Sequence, residues 1–300
     1  MNRRVAVFVL TIIVLSALFL TDPLAAFSKQ SGKDLSIRLI EIETRPAVKV
    51  KFILIEPENP VASVILFAGG HGDLRLTSFF GKPSINWGSN IFLVRTREDF
   101  AKHGLVVALV DKPSDKPSGD KISARYGLNT WNNETKEQFR MSNEHAQDIK
   151  SVASYLKKDS NIPVWLVGTS WGTVSAANAA IRIKEGIDGL VLTSSMTRAG
   201  RNWHIYKSYP NIIINMDLDK ISVPTLIVSH KEDKCNITPA TDAPKIAEGI
   251  VNSSKVEIMY FTGGKRPIEE ECYGLSAHGF YGIETEVVSA IADFIKSNSK

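Results

Sequence analysis

The chain has 300 residues, of which 43% are hydrophobic and 23% are charged. This composition is typical of a globular protein, and the length is sufficient to bury a large core. The formal net charge is only +4, and the basic residues are spread along the chain without a basic block. The sequence therefore excludes a nucleic-acid-binding surface of the usual basic kind.

The first 26 residues have the three parts of a secretory signal peptide. "MNRR" is positively charged, residues 5–20 are almost entirely apolar, and "TDPLAAFS" supplies a helix-breaking proline and small residues. The apolar run is short for a membrane span. We therefore expect a signal peptide at 1–26, a mature domain at 27–300, and a protein that is exported to the periplasm or secreted. The alternative is an uncleaved N-terminal membrane anchor; no span is expected in the mature chain.

The mature part begins with two segments that alternate apolar and polar residues, 35–44 and 47–57. Such alternation predicts half-buried strands, and the tight turn at Arg45 and Pro46 predicts that they pair antiparallel. The next segment, 61–70, is continuously apolar and ends in glycines. It predicts a strand that is buried on both faces of a parallel sheet.

Strands and helices then alternate along the rest of the chain. Predicted strands cover 105–111, 164–168, 189–195, 224–230 and 255–261, and predicted helices cover 95–103, 139–158, 171–184, 240–250 and 284–296. This order predicts an α/β fold with a mostly parallel eight-stranded sheet, an antiparallel pair at its start, and helices on both faces. Segment 196–221 is longer than a simple crossover. It is expected to form either a small cap over a pocket or an irregular surface loop.

The motif GTSWG at 168–172 lies between the apolar run VWLV and the small-residue run TVSAANAA, where a strand is predicted to meet a helix. A G-x-S-x-G in that context is typical of a nucleophile elbow. The glycines permit a sharp turn, and the turn holds the serine at the carboxyl edge of the sheet. The motif therefore indicates Ser170 as a reactive nucleophile; the alternative is a tight turn without chemistry.

A nucleophilic serine needs a histidine base and a carboxylate that orients it, in the chain order Ser, acid, His. His278 lies in a loop after the last predicted strand, so its order and its location both fit the base. Asp233 follows the strand at 224–230 and is the expected acid, with Glu232 as the alternative. We interpret His230, at the end of that strand, as structural.

The two cysteines lie close to the expected acid and base in the sequence. Cys235 is two residues after Asp233, and Cys272 is six residues before His278. If the acid and base loops are neighbours, the cysteines are neighbours too, and an exported protein meets an oxidising compartment. We therefore expect a disulfide that ties the two loops together. The alternative is two free buried thiols.

Acyl transfer also needs N–H donors for the oxyanion. The first expected donor is the backbone N–H of Trp171, the residue after the nucleophile. The second is expected in the loop AGGHG and is either Gly70 or His71. No Cys/His set has zinc spacing and no glycine run has P-loop spacing, so neither a metal nor a cofactor is expected. Aromatic side chains expected to line either the pocket or the core are Trp171, Trp203, Tyr206 and Phe280.

The segments FAGGHG, GTSWG, SHKED and SAHGF, in this order, resemble those of the α/β-hydrolase superfamily over roughly residues 35–296. The resemblance implies the α/β-hydrolase fold and an activity such as that of an esterase, lipase, thioesterase, peptidase or lyase. We expect an exported serine hydrolase that cleaves a small-molecule carboxylic ester through Ser170, His278 and Asp233. The alternatives are an amide or peptide hydrolase with the same triad, and a non-catalytic binding protein with this fold.

Overall fold

A computed structural model of the chain describes residues 35–116, 138–158 and 160–299. The expected signal peptide or anchor at 1–26 lies outside these residues and stays a prediction. Across the described ranges, no helix combines the length and the apolar character that crossing a membrane would require.

The centre of the fold is an eight-stranded sheet with the order β1-β2-β6-β3-β7-β8-β9-β10. The described strands are β1 (Ser36–Arg45), β2 (Val48–Glu56), β3 (Ala62–Phe67), β4 (Thr77–Phe79), β5 (Lys82–Ser84), β6 (Leu105–Pro113), β7 (Val164–Thr169), β8 (Gly189–Thr193), β9 (Thr225–His230) and β10 (Val256–Phe261). β1 pairs antiparallel with β2, and β2 pairs antiparallel with β6. All further pairs in this sheet are parallel, so the predicted mixed sheet is confirmed.

Helices cover both faces of this sheet. The described helices are α1 (Phe92–Arg95), α2 (Arg97–Lys102), α3 (Asn143–Lys157), α4 (Trp171–Arg182), α5 (Ala243–Gly249) and α6 (Glu284–Ser297). Successive residues of β3 alternate between two apolar clusters: Ile65 packs with α3, α4 and α5, whereas Leu66 packs with α1, α2 and α6. A strand between two helical layers must be apolar on both faces, which explains the continuous apolar runs.

Two predicted helices differ from the structure only at the C-terminal end, where α4 ends two residues earlier and α6 one residue later than predicted. The other three differ more. The helix predicted at 139–158 is interrupted: residues 138–140 are helical, and α3 begins separately at Asn143, where the Ser142 side chain accepts a hydrogen bond from the His145 N–H and caps the helix. The helix predicted at 95–103 is two short helices that meet at Thr96. The segment 240–250 combines a 3₁₀ turn with α5. The hairpin formed by β4 and β5 was not predicted.

Segment 196–221 contains three 3₁₀ turns, His204–Lys207, Ile212–Asn215 and Leu218–Lys220. Ile212 and Leu218 are buried in the cluster around α3, α4 and α5. At the other end of the segment, the ring of Trp203 lies 5.4 Å from that of Trp171, measured between centroids. The segment thus joins the core to the residue after Ser170, and its function as a cap stays a prediction.

α3 also buries a histidine, His145, between the aromatic rings of Phe67 and Phe139. Within the described part of the chain, neither of its ring nitrogens has a hydrogen-bond partner. Burial, with smaller contributions from the charges of Arg140 and Arg45, lowers the pKa of His145 to about 3. The imidazole is therefore neutral in the folded protein at every pH at which the protein is expected to work.

Replacing His145 with phenylalanine is expected to flatten the pH dependence of stability. The folded-state pKa lies below the unfolded value of about 6.5, so this histidine destabilises the fold increasingly as the pH falls below 6.5. Between pH 7 and pH 5, His145 is expected to lower the free energy of unfolding by about 2 kcal/mol. Urea unfolding at both pH values measures this loss, with His204→Phe at an exposed histidine as the control. If the free energy of unfolding falls by the same amount between pH 7 and pH 5 in wild type and in His145→Phe, His145 is not held neutral by the fold.

Candidate active site

Ser170 occupies a strained turn between β7 and α4. Its backbone has φ 51° and ψ −127°, a conformation that residues other than glycine rarely adopt. The Ser170 N–H donates to the carbonyl oxygen of Thr193 on β8 at 3.0 Å. The Ser170 carbonyl accepts a 2.5 Å hydrogen bond from the Thr173 hydroxyl. Contacts on both sides of the serine therefore hold the strained conformation.

The two glycines of the motif are required by close packing. A Cβ at Gly172 would collide with the carbonyl oxygen of Phe67 on β3, and a Cβ at Gly168 would collide with the carbonyl oxygen of Gly172. The turn can therefore bring α4 against the end of the sheet only if both positions lack a side chain.

The structure brings Asp233 and His278 together. His278 lies in a 3₁₀ turn after β10, and its Nδ1 is 3.0 Å from Oδ2 of Asp233. The other carboxylate oxygen accepts from the Cys235 N–H at 2.9 Å. The Thr238 hydroxyl lies 3.1 Å from both the Asp233 carboxylate and the His278 ring nitrogen. Both the imidazole and the carboxylate are buried, so the pair has a fixed geometry.

The alternative acid, Glu232, points elsewhere. Its side chain is exposed, and its carboxylate accepts a hydrogen bond from the Gly263 N–H at 3.0 Å. His230 bonds the Gly263 carbonyl and the Glu232 N–H, so it fixes the loop after β9. Of the two neighbouring acids, the geometry supports only Asp233 as the partner of His278.

Ser170 and His278 each form a hydrogen bond with a residue at the carboxyl end of β8. Thr193 accepts the Ser170 N–H, and the hydroxyl of the next residue, Ser194, donates to the His278 carbonyl at 2.8 Å. The Ser170 hydroxyl itself lies against the sulfur of Met196 at 3.8 Å. Among the described residues, no hydrogen bond joins it to His278 in this structure. Catalytic hydrogen bonds in ligand-free enzymes are often long and tighten only with substrate.

The sulfur atoms of Cys235 and Cys272 are 2.06 Å apart, at disulfide-bonding distance. The two sulfurs therefore lie where the expected disulfide would link the Asp233 loop to the His278 loop. Atoms of Asp233, Cys235 and His278 that could bind a metal lie within 4.8 Å of one another. A sulfur in a disulfide is not a thiolate, so this trio is not a metal site.

The glycine loop after β3 lies beside the serine. A Cβ at Gly69 would be 3.1 Å from the Ser170 Cβ. Gly70 has φ +59°, and the ring of Trp87 fills the space beside it. The His71 ring packs on Trp87, with 3.5 Å between centroids. Both Gly70 and His71 remain candidates for the second oxyanion donor.

The first candidate donor belongs to α4. Trp171 is the first residue of that helix, so the helix supplies no acceptor for its backbone N–H. The positive end of the helix dipole points the same way and favours a developing negative charge. The Trp171 ring packs on Trp203. Tyr206, three residues after Trp203, is half-buried. Phe280 is fully buried in the cluster around α1, α2 and α6, so it belongs to the core.

Sequence reasoning missed three residues near this site, Thr238, Met196 and Arg140. Thr238 bridges the acid and the base, and Met196 contacts the serine hydroxyl. Arg140 is buried beneath the glycine loop. No sequence pattern distinguishes these residues from others of their type, because each acquires its position only when distant segments pack together.

No model of a protein family matches the chain, and no curated protein matches it. Solved structures do resemble it. An esterase of Pyrococcus furiosus has a TM-score of 0.58 at 15% identity, covering 89% of this chain and 92% of that one. The α/β hydrolase GrgF from Penicillium sp. sh18 has a TM-score of 0.58 at 12% identity, covering 88% and 99%. A dienelactone hydrolase from Anabaena variabilis has a TM-score of 0.55 at 14% identity, covering 89% and 99%. The chain therefore has the α/β-hydrolase fold.

Proposed function

We propose that this protein is an exported serine hydrolase that cleaves a small-molecule carboxylic ester. The observation that carries the proposal is a serine in a strained turn whose neighbouring loops hold a buried His278–Asp233 pair. An acid and a base buried in contact at the carboxyl edge of a parallel sheet are what a serine nucleophile requires. A role in packing alone would not need the strained backbone of Ser170.

In the proposed reaction the Ser170 oxygen attacks the ester carbonyl carbon while Nε2 of His278 takes the hydroxyl proton. Asp233 accepts the hydrogen bond from Nδ1–H, so it fixes the tautomer and stabilises the imidazolium. The oxyanion is stabilised by the N–H of Trp171 and that of Gly70 or His71. The imidazolium then protonates the leaving alcohol. Water, activated by the same histidine, releases the acid from the acyl-enzyme.

Two further observations support the details of this proposal. Proteins of similar structure include an esterase from Pyrococcus furiosus. This similarity supports an ester rather than an amide as the substrate proposed for this protein. The disulfide geometry of Cys235 and Cys272 and the signal-like residues 1–26 favour an oxidising compartment outside the cytoplasm. We propose that the mature domain comprises residues 27–300, with 196–221 as a small cap beside the serine.

The proposal is tested by the mass of the protein after reaction with a fluorophosphonate, which reacts preferentially with activated serines. We expect one adduct on the wild type and none on Ser170→Ala. Ser154→Ala, which removes an exposed hydroxyl on α3, is the matched control and should label like the wild type. A folded wild type that takes up no label would favour the non-catalytic binding protein. Turnover of amides in preference to esters would instead favour the amide hydrolase.

A further inference from the structure

Arg140 is a buried cation beneath the glycine loop, with only 5% of its surface exposed. Its Nη1 donates to the Trp171 carbonyl at 3.2 Å and to the Ser175 hydroxyl at 2.7 Å. Its Nη2 donates to the carbonyls of Ala68 and Gly70 at 3.3 and 3.4 Å. Across the described ranges, no carboxylate forms an ion pair with this guanidinium. All four acceptors are neutral, and three belong to the backbone.

Such an arrangement is costly, because a charge is removed from water without a counter-ion. Burial lowers the pKa of Arg140 to about 10, which still leaves the guanidinium protonated at neutral pH. An apolar side chain would avoid the desolvation cost. It would, however, leave the three backbone carbonyls beneath the site without this donor. Arg140 thus supplies hydrogen bonds to three backbone carbonyls beneath the site.

The carbonyls that Arg140 holds belong to the two segments that carry the candidate oxyanion donors. A trans peptide is planar, and its C=O and N–H point in opposite directions. Because Arg140 holds the Gly70 carbonyl, the N–H of His71 in the same peptide points away from the guanidinium. The bond to the Trp171 carbonyl lies in the next peptide, which carries the Gly172 N–H, so it anchors the first turn of α4 and acts on the Trp171 N–H only through that turn. One side chain thus sets the orientation of both segments.

The sequence around the loop accommodates this side chain. Gly72 has φ +69°, and a Cβ at this position would collide with Nη2 of Arg140. A larger residue at 72 would displace the guanidinium from its acceptors. On the other side, the Ser175 hydroxyl of α4 provides the shortest of the four hydrogen bonds. The site is therefore shaped on both sides to hold an arginine.

We propose that Arg140 is a positioning residue that holds the glycine loop and the start of α4 in register, so that the two oxyanion donors converge beside Ser170. The inference rests on the proposed function. Arg140 touches no reacting atom and acts only through the backbone groups that it binds. Its removal should therefore impair stabilisation of the oxyanion far more than binding of the substrate.

The test compares wild type, Arg140→Met and Arg140→Lys in hydrolysis of p-nitrophenyl butyrate and in inhibition by a trifluoromethyl ketone, whose adduct with serine carries an oxyanion. For Arg140→Met we expect kcat to fall about 10²-fold, the size of effect of losing one oxyanion donor, with KM changed by less than about threefold. Affinity for the ketone should fall by the same factor as kcat. Arg140→Lys keeps the charge with fewer donors and should be intermediate.

The control is Arg45→Met, which removes a partly buried arginine that pairs with Asp148 and Asp115 away from the loop. It should lower the melting temperature and leave kcat unchanged. A folded Arg140→Met with wild-type kcat and ketone affinity would overturn the proposal. If Arg140→Met does not fold, wild-type values for Arg140→Lys would overturn it. Fluorophosphonate labelling of the wild type separates these outcomes from failure of the hydrolase proposal itself.

Discussion

Replacing Asp233 with asparagine is expected to lower kcat for ester hydrolysis by about 10⁴-fold while the protein remains folded. The carboxylate accepts from His278 Nδ1 at 3.0 Å in a buried setting, so it dictates which ring nitrogen carries the proton. An asparagine side chain can present its amide N–H₂ to Nδ1. The proton then moves to Nε2, and that nitrogen can no longer take the serine proton.

The matched control for this prediction is Glu232→Gln, which makes the same chemical change one residue earlier in the chain. Glu232 is exposed and bonds the Gly263 N–H, so its amide should leave kcat within about twofold of wild type. Steady-state kinetics and thermal melting of both variants measure the difference. Near wild-type turnover in Asp233→Asn would remove Asp233 from the triad, and a large loss in Glu232→Gln would assign the role to Glu232.

Removing the disulfide with Cys235→Ala and Cys272→Ala together is expected to lower the free energy of unfolding by about 4 kcal/mol, given the 37-residue separation of the two cysteines. The cross-link restricts the unfolded chain, and it also ties the loop of Asp233 to the loop of His278. Turnover should therefore fall along with stability, because the pair loses its common support.

Denaturant unfolding and ester hydrolysis of the double alanine variant measure the two effects of the disulfide. Wild type treated with a reductant serves as the comparison, since it loses the bond without a change in side-chain volume. Intact mass after alkylation shows whether the bond is present. Two alkylated thiols in unreduced, exported protein would contradict the cross-link, and unchanged stability of the double variant would contradict its contribution.

Much of the fold follows from patterns that are local in the sequence. Every residue of β3 and β7 is buried, and both strands appear as continuous apolar runs. The turn at Ser170 could also be predicted from the sequence, because close packing against Phe67 and between Gly168 and Gly172 leaves no room for side chains at these two positions. Strand type and elbow could be predicted since each depends on residues within one short segment.

The parts that were not predicted depend on contacts between distant segments. The start of α3 is set by the Ser142 cap, although the residues before it also fit a helical pattern. Thr238 joins the acid–base pair across 40 positions of sequence, and Arg140 reaches Ala68 across 72. The contacts of this threonine and this arginine depend on how distant segments pack, so no local motif predicts them.

The space beside Gly72 makes substitution there costly in two separate ways. Its φ of +69° disfavours any side chain, and a Cβ would also take the volume that Nη2 of Arg140 occupies. Replacing Arg140 removes only the second of these costs. A side chain at 72 is therefore expected to remain strained even in a variant that lacks the arginine.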